Sequence, residues 1–370
     1  MKVAAALIEF VIVPAWFSAA AAAQPRYAVT PLCPEESEIP PVTFATNSAG
    51  QIAGTCSTPS AGQRAFVYSA GALNYLTPDG SLQTVAGGIN AGEQVLVTTI
   101  FGPNVGHTFL FSNGAYTDLT QQSTSDPNGP LTYAAAISDS GQIVGTGHTA
   151  FPNNRALLLS NGSLTDLGTL GGSVASALAI NNAGQIVGSA AIDQLSSAGT
   201  GHVHAFLYDG TLHDLGTIGG IDSRAVAIND KGQAVGTYFT GTSDHPIAHA
   251  FLYDHGSLTP LGSLGGQESE ALAINNLGQV VGDTGTGAFL FDHGTLEDLN
   301  AMIDPTLHIS LDRAAAIDDA GTIVATGYLN AGTRQQQYQA FLLTPVPEPA
   351  SLLIGTLAGA GLVAPRRRQR

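Results

Sequence analysis

Hydrophobic and polar residues alternate over short distances along the central part of the chain, and the alternation repeats. The clearest unit is ALAINNAGQIVG at 177–188, in which two apolar runs flank a polar turn. Such alternation, broken by Asn and Gly, is typical of short β-strands joined by tight turns. Seven copies occur, spaced 43 to 48 residues apart. The residues at the fourth position of each copy are Thr46, Ile89, Ile137, Ile180, Ile228, Ile274 and Ile317.

Each unit predicts four strands. The turn N-x-x-G joins the first strand, A-x-A-I, to the second, Q-I-V-G, because Asn can bond its own backbone and Gly adopts the positive φ that closes the hairpin. The segment A-F-L-Y forms the third strand, and x-L-x-D-L forms the fourth after a D-G or N-G turn. Four strands in roughly 45 residues, repeated seven times, predict an all-β, seven-bladed β-propeller of four-stranded blades.

The seventh unit lacks a fourth strand, because it ends with QAFLLTP at 339–345. The segment RYAVTPL at 26–32 resembles the fourth strand GSLTPL at 256–261. We therefore expect the N-terminal segment to supply the outer strand of blade seven and to close the ring, which removes the open edges of the array. A β-solenoid and two small β domains are the alternatives, and the missing strand found at the other end of the chain argues against both.

Length differences between units are confined to two of the four connections. The connection between the second and third strands runs from 5 residues at 283–287 to 16 at 189–204, and the links between units are five residues longer at 120–133 and 300–313. Turns alternate between the two ends of an up-and-down blade, so both variable connections open on one face, called the variable face below. Insertions on one face often mark a binding surface, although surface loops also tolerate insertion without function.

Three charged residues occupy matching positions in successive units, at the start of the first strand: Arg224, Glu270 and Arg313. We expect them to form a polar ring around the axis on the variable face. A propeller enzyme would need carboxylates, or a His, Tyr and Arg set, converging at this place. A ring that merely solvates the rim is the alternative.

The third strand carries HAFLYD at 204–209 and again at 249–254. Together with turns such as AINDKGQAVG at 227–236, this segment resembles the HAF family of extracellular repeats over residues 40–344. The resemblance implies an exported protein and no known activity, cofactor or catalytic residue. Ala-Phe-Leu recurs more faithfully than the histidine, which predicts a structural role for this position and places function in the loop before it. Other units replace the histidine by Arg64, Arg155, Gly287 or Gln339.

Metal chemistry has little support. His202 and His204 are two residues apart on a predicted strand, so their side chains share a face and could hold one ion. Only His213 or His245 offers a further ligand. Turn chemistry explains the Asp- and Asn-rich turns without calcium, although calcium binding to the acidic surface stays open. No metal and no cofactor is predicted.

Both ends of the chain resemble sorting signals. Residues 1–23 combine Lys2, an apolar run and an A-x-A ending, as in a secretory signal peptide. Residues 346–370 resemble the PEP-CTERM tail of Gram-negative bacteria, with a short apolar stretch at 350–364. That resemblance implies transient inner-membrane anchoring and processing by an exosortase. The residues that carry it are Val346, Pro347, Glu348, Pro349, Arg366, Arg367 and Arg368. Residues 24–345 remain as the HAF-repeat propeller.

Composition and charge narrow the classes of partner that the chain is expected to bind. A net charge of −16 disfavours nucleic acid, because a polyanion would be repelled. Low charge content with abundant glycine favours an extracellular β protein. In that oxidising compartment a disulfide between Cys33 and Cys56 would hold the closing strand, with two free thiols as the alternative.

The sequence thus favours an exported, non-enzymatic protein of the cell surface or extracellular matrix, a binding scaffold associated with exopolysaccharide or biofilm. Its expected partners are the sorting machinery and either a polysaccharide or another surface protein. The alternative is a propeller enzyme, a lyase or glycosidase that acts on polysaccharide.

Overall fold

The computed structural model describes residues 26–33, 44–58, 62–78, 83–99, 106–123, 130–150, 153–193, 201–242 and 245–347. Within them, seven antiparallel sheets of four strands form a ring, and the prediction of a seven-bladed β-propeller is confirmed. The predicted leader at 1–23 lies outside the described residues, as does the predicted tail except for Val346 and Pro347. No helix among the described residues is long and apolar enough to cross a membrane.

Strands are numbered in chain order, and blades are numbered from the first complete sheet. The chain opens with β1 (Tyr27–Pro31). Blades 1 to 3 contain β2 (Phe44–Thr46), β3 (Ile52–Thr58), β4 (Gly62–Ser69), β5 (Ala72–Leu76), β6 (Thr84–Ile89), β7 (Val95–Thr99), β8 (Thr108–Ser112), β9 (Ala115–Asp118), β10 (Leu131–Ile137), β11 (Ile143–Ala150), β12 (Asn153–Ser160) and β13 (Ser163–Asp166).

Blades 4 to 6 continue the same order. They contain β14 (Ala175–Ile180), β15 (Ile186–Ala191), β16 (Val203–Tyr208), β17 (Leu212–Gly216), β18 (Asp222–Ile228), β19 (Ala234–Thr242), β20 (His245–Asp254), β21 (Ser257–Pro260), β22 (Glu270–Ile274), β23 (Val280–Asp283), β24 (Ala288–Asp292) and β25 (Thr295–Asp298). Blade 7 consists of β26 (Ile309–Ile317), β27 (Ile323–Leu329), β28 (Gln337–Pro345) and β1.

The N-terminal strand closes the ring as predicted. Strand β1 pairs antiparallel with β28 from Tyr27 opposite Pro345 to Pro31 opposite Phe341. The pairing continues at both ends, because the Leu32 amide donates to the Ala340 carbonyl and the Val346 amide donates to the Arg26 carbonyl. Blade 7 is therefore assembled from both ends of the repeat array.

The hairpin between the first and second strands contains a bulge in blades 2 to 7, and in blades 3 to 6 this bulge explains a glycine. In blade 5, Ala225 pairs with Gly236 and Ala227 with Val235, so Val226 is the extra residue. A Cβ atom on Gly236 would lie 1.9 Å from the Arg224 carbonyl oxygen, which no side chain tolerates. In blades 3 to 6 the final glycine of Q-x-V-G is thus required by a close backbone approach, whereas Gly54 in blade 1 lies against the rings of Phe44 and Phe66.

The core lies between neighbouring blades. One cluster joins Val187, Ala205 and Leu207 of blade 4 to Ala225 and Phe251 of blade 5, and the other interfaces are built in the same way. The phenylalanine of the third strand is at most 1% exposed in five blades, at Phe66, Phe206, Phe251, Phe289 and Phe341. Burial of this ring against the preceding blade explains why Ala-Phe recurs in five of the seven units.

Parts of the variable connections form regular secondary structure. In blade 5 most of the extra length prolongs the hairpin, so that Thr242 still pairs with His245. In the link before blade 3 part of the extra length forms α1 (Leu119–Ser123), and in the link before blade 7 it forms two 3-10 turns, Leu299–Met302 and Pro305–Leu307. Backbone groups in long insertions need partners, and paired strands and helical turns supply them.

Candidate functional site

A channel of about 490 Å³ runs along the axis of the ring. Its wall is formed by the first strands of the blades, with small residues such as Gly87, Ala135 and Ala227. Asparagine and aspartate side chains of the turns surround one end, which we call the turn face. Tyr133 and Arg313 also line the channel, and they precede the alanines of their strands, toward the variable face.

The three charged residues predicted to form a polar ring lie close together at the end of the channel toward the variable face, here called the channel mouth. Arg224 Nη2 lies 3.3 Å from Glu270 Oε1, and Arg313 Nη2 lies 3.9 Å from Glu270 Oε2. Both arginines are nearly half exposed, at 44% and 47%, whereas the Glu270 side chain is 23% exposed. Glu270 therefore holds two guanidinium groups from the neighbouring blades 5 and 7.

Asp283 completes the cluster, and the sequence reasoning missed it. It pairs directly opposite Glu270 across β22 and β23, which places both side chains on one face of the sheet. Arg313 Nη1 lies 3.4 Å from Asp283 Oδ2. The signal available in the sequence was its position, one residue after Q-V-V-G and opposite the start of the first strand.

The environment of Asp283 is unusual for a carboxyl group. Burial raises the pKa of Asp283 above its ordinary value, against the opposing effect of the Arg313 charge, and the Glu270 charge raises it further. The side chain is 16% exposed, and its Oδ2 atom accepts no hydrogen bond among the described residues. A poorly solvated carboxyl group beside a second carboxylate and two arginines marks a candidate site.

At this cluster blade 6 is flanked by the longer hairpins of blades 5 and 7, and we call the gap between them the cleft over blade 6. Glu270–Asp283, Arg224–Thr237 and Arg313–Thr326 are equivalent strand pairs in blades 6, 5 and 7. In blade 6 the second strand ends at Asp283, whereas in blade 5 it continues for five residues and in blade 7 for three. At about 3.3 Å per residue, the flanking hairpins extend about 16 Å and about 10 Å beyond the floor.

In four blades the side chain at the position of the HAF histidine contacts the fourth strand, whereas His249 in blade 5 lies 2.8 Å from Thr240 Oγ1 of the second strand. His107 Nδ1 lies 2.7 Å from Asp118 Oδ2, and His204 Nδ1 lies 2.9 Å from Asp214 Oδ1. Arg155 makes the equivalent pair with Asp166 in blade 3, at 3.4 Å. Where the fourth strand carries Tyr75 instead of aspartate, the Arg64 guanidinium lies 4.2 Å from the ring centre. These contacts join the two outer strands of a blade.

Three of the four histidines considered as metal ligands each contact a different aspartate. His204 contacts Asp214, His202 contacts Asp222, and His213 contacts Asp209. In the described part of the chain, no group of three His, Cys, Asp or Glu side chains has an arrangement that could hold a metal ion.

The turn face carries a second ring of polar side chains. Asn182 Nδ2 lies 2.8 Å from Asp139 Oδ2 and 3.2 Å from Asp230 Oδ2, and Asn276 Nδ2 bridges Asp230 and Asp319 in the same way. Amide groups thus alternate with carboxylates from blade 3 to blade 7. The carboxylates have hydrogen-bond donors from the protein, so turn chemistry accounts for the acidic residues.

The structure joins Cys33 and Cys56 in a disulfide, with their Cα atoms 5.9 Å apart. Cys33 follows the closing strand of blade 7, and Cys56 lies in β3 of blade 1. Both are buried in one cluster with Leu32, Phe66 and Leu342. The bond therefore crosses the seam where the ring closes.

Comparisons with known proteins support the fold. No family model and no curated protein matches the chain. A fungal alcohol oxidase in complex with copper is similar at 14% identity and a TM-score of 0.50, covering 87% of this chain and 76% of its own. The match to the polysaccharide lyase Uly1 covers 84% of this chain and 90% of the lyase, at 9% identity and a TM-score of 0.49. The match to YCF48 bound to a D1 peptide covers 89% of this chain and 99% of YCF48, at 12% identity and a TM-score of 0.45.

These similar structures include enzymes and a peptide-bound protein. The similarity to the alcohol oxidase, at 14% identity, shows a shared fold alone and leaves the activity of this chain undecided.

Proposed function

We propose that this chain is an exported, non-enzymatic binding scaffold of the cell surface or extracellular matrix, associated with exopolysaccharide or biofilm. The observation that carries the proposal is the cleft over blade 6. A rigid ring presents charged side chains from three blades at the inner end of that cleft, on the face where the blades differ most in length. Binding residues on loops above a rigid scaffold are a common arrangement.

Export is part of the proposal. The resemblances to a secretory leader, to HAF repeats and to a PEP-CTERM tail support it, with an exosortase as the processing partner. A disulfide at the ring seam is consistent with an oxidising compartment. Expression of the full chain in a Gram-negative host with the matching exosortase, followed by fractionation and mass mapping of both termini, tests it. An intact chain retained in the cytoplasm would contradict it.

A second candidate is an enzyme that acts on polysaccharide. It is favoured by the pair Glu270 and Asp283, two carboxyl groups in one cleft with different degrees of burial. General acid and base pairs need such a difference in environment. Both carboxyl groups are, however, held by Arg313, which suits binding better than proton transfer.

One experiment separates the two candidates. The purified chain is incubated with soluble polysaccharides, and binding is measured by affinity electrophoresis while release of reducing ends or of unsaturated products is followed. Binding without turnover supports the scaffold. Turnover that is abolished in Glu270→Gln and Asp283→Asn would establish the enzyme instead.

A further inference from the structure

We infer that the cleft over blade 6 is a subsite for a neutral polysaccharide chain, recognised by Arg224, Glu270, Arg313 and the ring of Phe239. The inference rests on the proposed binding function and gives that function a place and a ligand class. It concerns binding alone, so no covalent step is involved.

The shape of the cleft fits an extended polymer. Its floor is blade 6, whose connection between second and third strands is only 284–287, and its walls are the longer hairpins of blades 5 and 7. The inner end of the cleft reaches the channel mouth at Arg313 and Tyr133. The 3-10 turn Leu299–Met302 borders its outer side, where Asn300 hydrogen-bonds the backbone of Leu311. A sugar chain can therefore reach the cluster from the channel mouth, between the two hairpins.

Hydrogen-bonding capacity at the inner end matches sugar hydroxyl groups. Arg224 donates one hydrogen bond, to Glu270 at 3.3 Å, and Arg313 is held by two ion pairs of 3.4 Å and 3.9 Å. Each guanidinium group has five N–H donors, so donors remain available on both exposed side chains. Hydroxyl groups can accept from the arginines and donate to Glu270, and vicinal hydroxyl pairs suit these planar groups.

Charge argues for a neutral ligand. Arg224 and Arg313 balance Glu270 and Asp283, and the Asp312 carboxylate lies near enough to affect Asp283. The cluster therefore carries no positive excess with which to attract a polyanion, and the whole chain is at −16. Cations are disfavoured as well, because Arg313 contacts both carboxylates of the cluster.

An aromatic side chain accompanies the polar groups. The Arg224 guanidinium carbon lies 5.5 Å from the centre of the Phe239 ring, which is half-buried in the part of β19 beyond Thr237. Tyr133 is 40% exposed and lines the channel mouth. Apolar rings beside a few converging polar groups are the usual lining of small-molecule sites.

Affinity electrophoresis of the full chain tests the inference. Dextran, laminarin, galactomannan and xylan serve as neutral probes, and polygalacturonate and alginate serve as acidic probes. We expect retardation by at least one neutral probe, unchanged by added salt. Arg224→Gln and Arg313→Gln should each weaken it about tenfold, the loss expected for one charge-assisted hydrogen bond. Arg155→Gln is the matched control, because it breaks an arginine–aspartate pair of 3.4 Å in blade 3.

The outcomes are distinguishable. Neutral binding that survives Arg224→Gln and Arg313→Gln, in variants with unchanged melting temperature, overturns this site and leaves the proposed scaffold function standing. Binding only to acidic probes, weakened by salt, overturns the ligand class. An equal loss of retardation in Arg155→Gln shows that removing an arginine elsewhere has the same effect, and it overturns the assignment of binding to the cleft. No retardation by any probe overturns the inference, whereas the proposed scaffold function, whose expected partners include another surface protein, is decided by the export experiment.

Discussion

At the scale of single residues, the first asparagine of the N-x-x-G turn makes contacts in two blades. Asn229 Oδ1 accepts from the backbone amides of Lys231 and Gln233, both at 3.0 Å. Its Nδ2 donates to the Gln233 side chain and, at 3.0 Å, to the Asn275 carbonyl of the next blade. One side chain therefore shapes its own turn and joins the blade to its neighbour.

We predict that Asn229→Ala lowers the free energy of unfolding by about 2–4 kcal/mol, because it leaves several buried polar groups without partners. Asn229 is 4% exposed, so water cannot replace the lost bonds. Urea denaturation checks this value. Lys231→Ala is the control in the same turn, since Lys231 is exposed, and its effect should stay within about 0.5 kcal/mol. Equal effects of the two changes would refute the assignment.

Glycine 236 offers a second test at this scale. We predict that Gly236→Ala costs more than about 3 kcal/mol or prevents folding, because the new Cβ would meet the Arg224 carbonyl at 1.9 Å. Gly256 has open space around it and a φ of +91°, so Gly256→Ala should cost only the backbone strain, about 1 kcal/mol. The yield of folded protein and the urea midpoint measure both. A Gly236→Ala chain as stable as Gly256→Ala would exclude the close approach.

At the scale of elements, the hairpin of β27 and β28 shows how an insertion becomes ordered. Tyr338 Oη lies 2.9 Å from Thr326 Oγ1 and 3.1 Å from Asp312 Oδ1, and Thr326 donates to the same Asp312 oxygen. Tyr328 packs edge-to-face on the Tyr338 ring. These contacts tie three strands of blade 7 together at the wall of the cleft.

This hairpin should respond to alkaline pH. Burial raises the pKa of Tyr338 from 10.0 to about 12, and the nearby Asp312 charge adds to the rise. The folded chain keeps the phenol proton between these values while the unfolded chain releases it. The stability that this group contributes is therefore fully present below pH 10.0 and is lost as the pH rises towards about 12.

The measurement is the free energy of unfolding of the parent chain and of Tyr338→Phe from pH 8 to about 11.5. We expect the advantage of the parent chain to be constant at the lower values and to shrink above pH 10.0. Tyr328→Phe in the same hairpin serves as the control for removal of a hydroxyl group. Parallel curves for the parent chain and Tyr338→Phe over the whole range would contradict the prediction.

At the scale of the whole molecule, the ring closes at a seam between the two ends of the repeat array. Strand β1 supplies the fourth strand of blade 7, and the Cys33–Cys56 disulfide fastens its end to blade 1. An unclosed blade would expose the edge of β28, and exposed edges pair with other chains. Closure thus serves both stability and solubility.

We predict that the double change Cys33→Ser and Cys56→Ser lowers the free energy of unfolding by about 3 kcal/mol, because the unfolded chain regains the entropy that the disulfide-closed loop had removed. The two cysteines are 23 residues apart. Urea denaturation with and without dithiothreitol measures the effect. The reductant should destabilise the parent chain by a similar amount and leave the double variant unchanged. A parent chain that is insensitive to the reductant would show that the bond does not stabilise the seam.

Much of the fold was predictable because each unit repeats the same local chemistry. The strand pattern, the turn residues and the strand missing from the seventh unit follow from hydrophobic alternation and from Asn and Gly at fixed offsets. The site was predictable only in part. Arg224, Glu270 and Arg313 stood out through their matching positions. Asp283 also has a repeating position, the one held by Thr237 and Thr326 in blades 5 and 7, but the sequence did not show that it would be buried beside Arg313. Phe239 lies in the extension of β19 that blade 6 lacks, so no repeat marked it.

The sequence by itself determined the number of blades, the order of strands and the way the ring closes, because these depend on local periodicity and on counting. Only the tertiary structure decided which side chains from different blades meet. The contact of Glu270 with both arginines, the burial of Asp283 and the cleft between two taller hairpins depend on how neighbouring blades are placed around the axis. Such placement comes from packing between sheets, which leaves no regular trace along one chain.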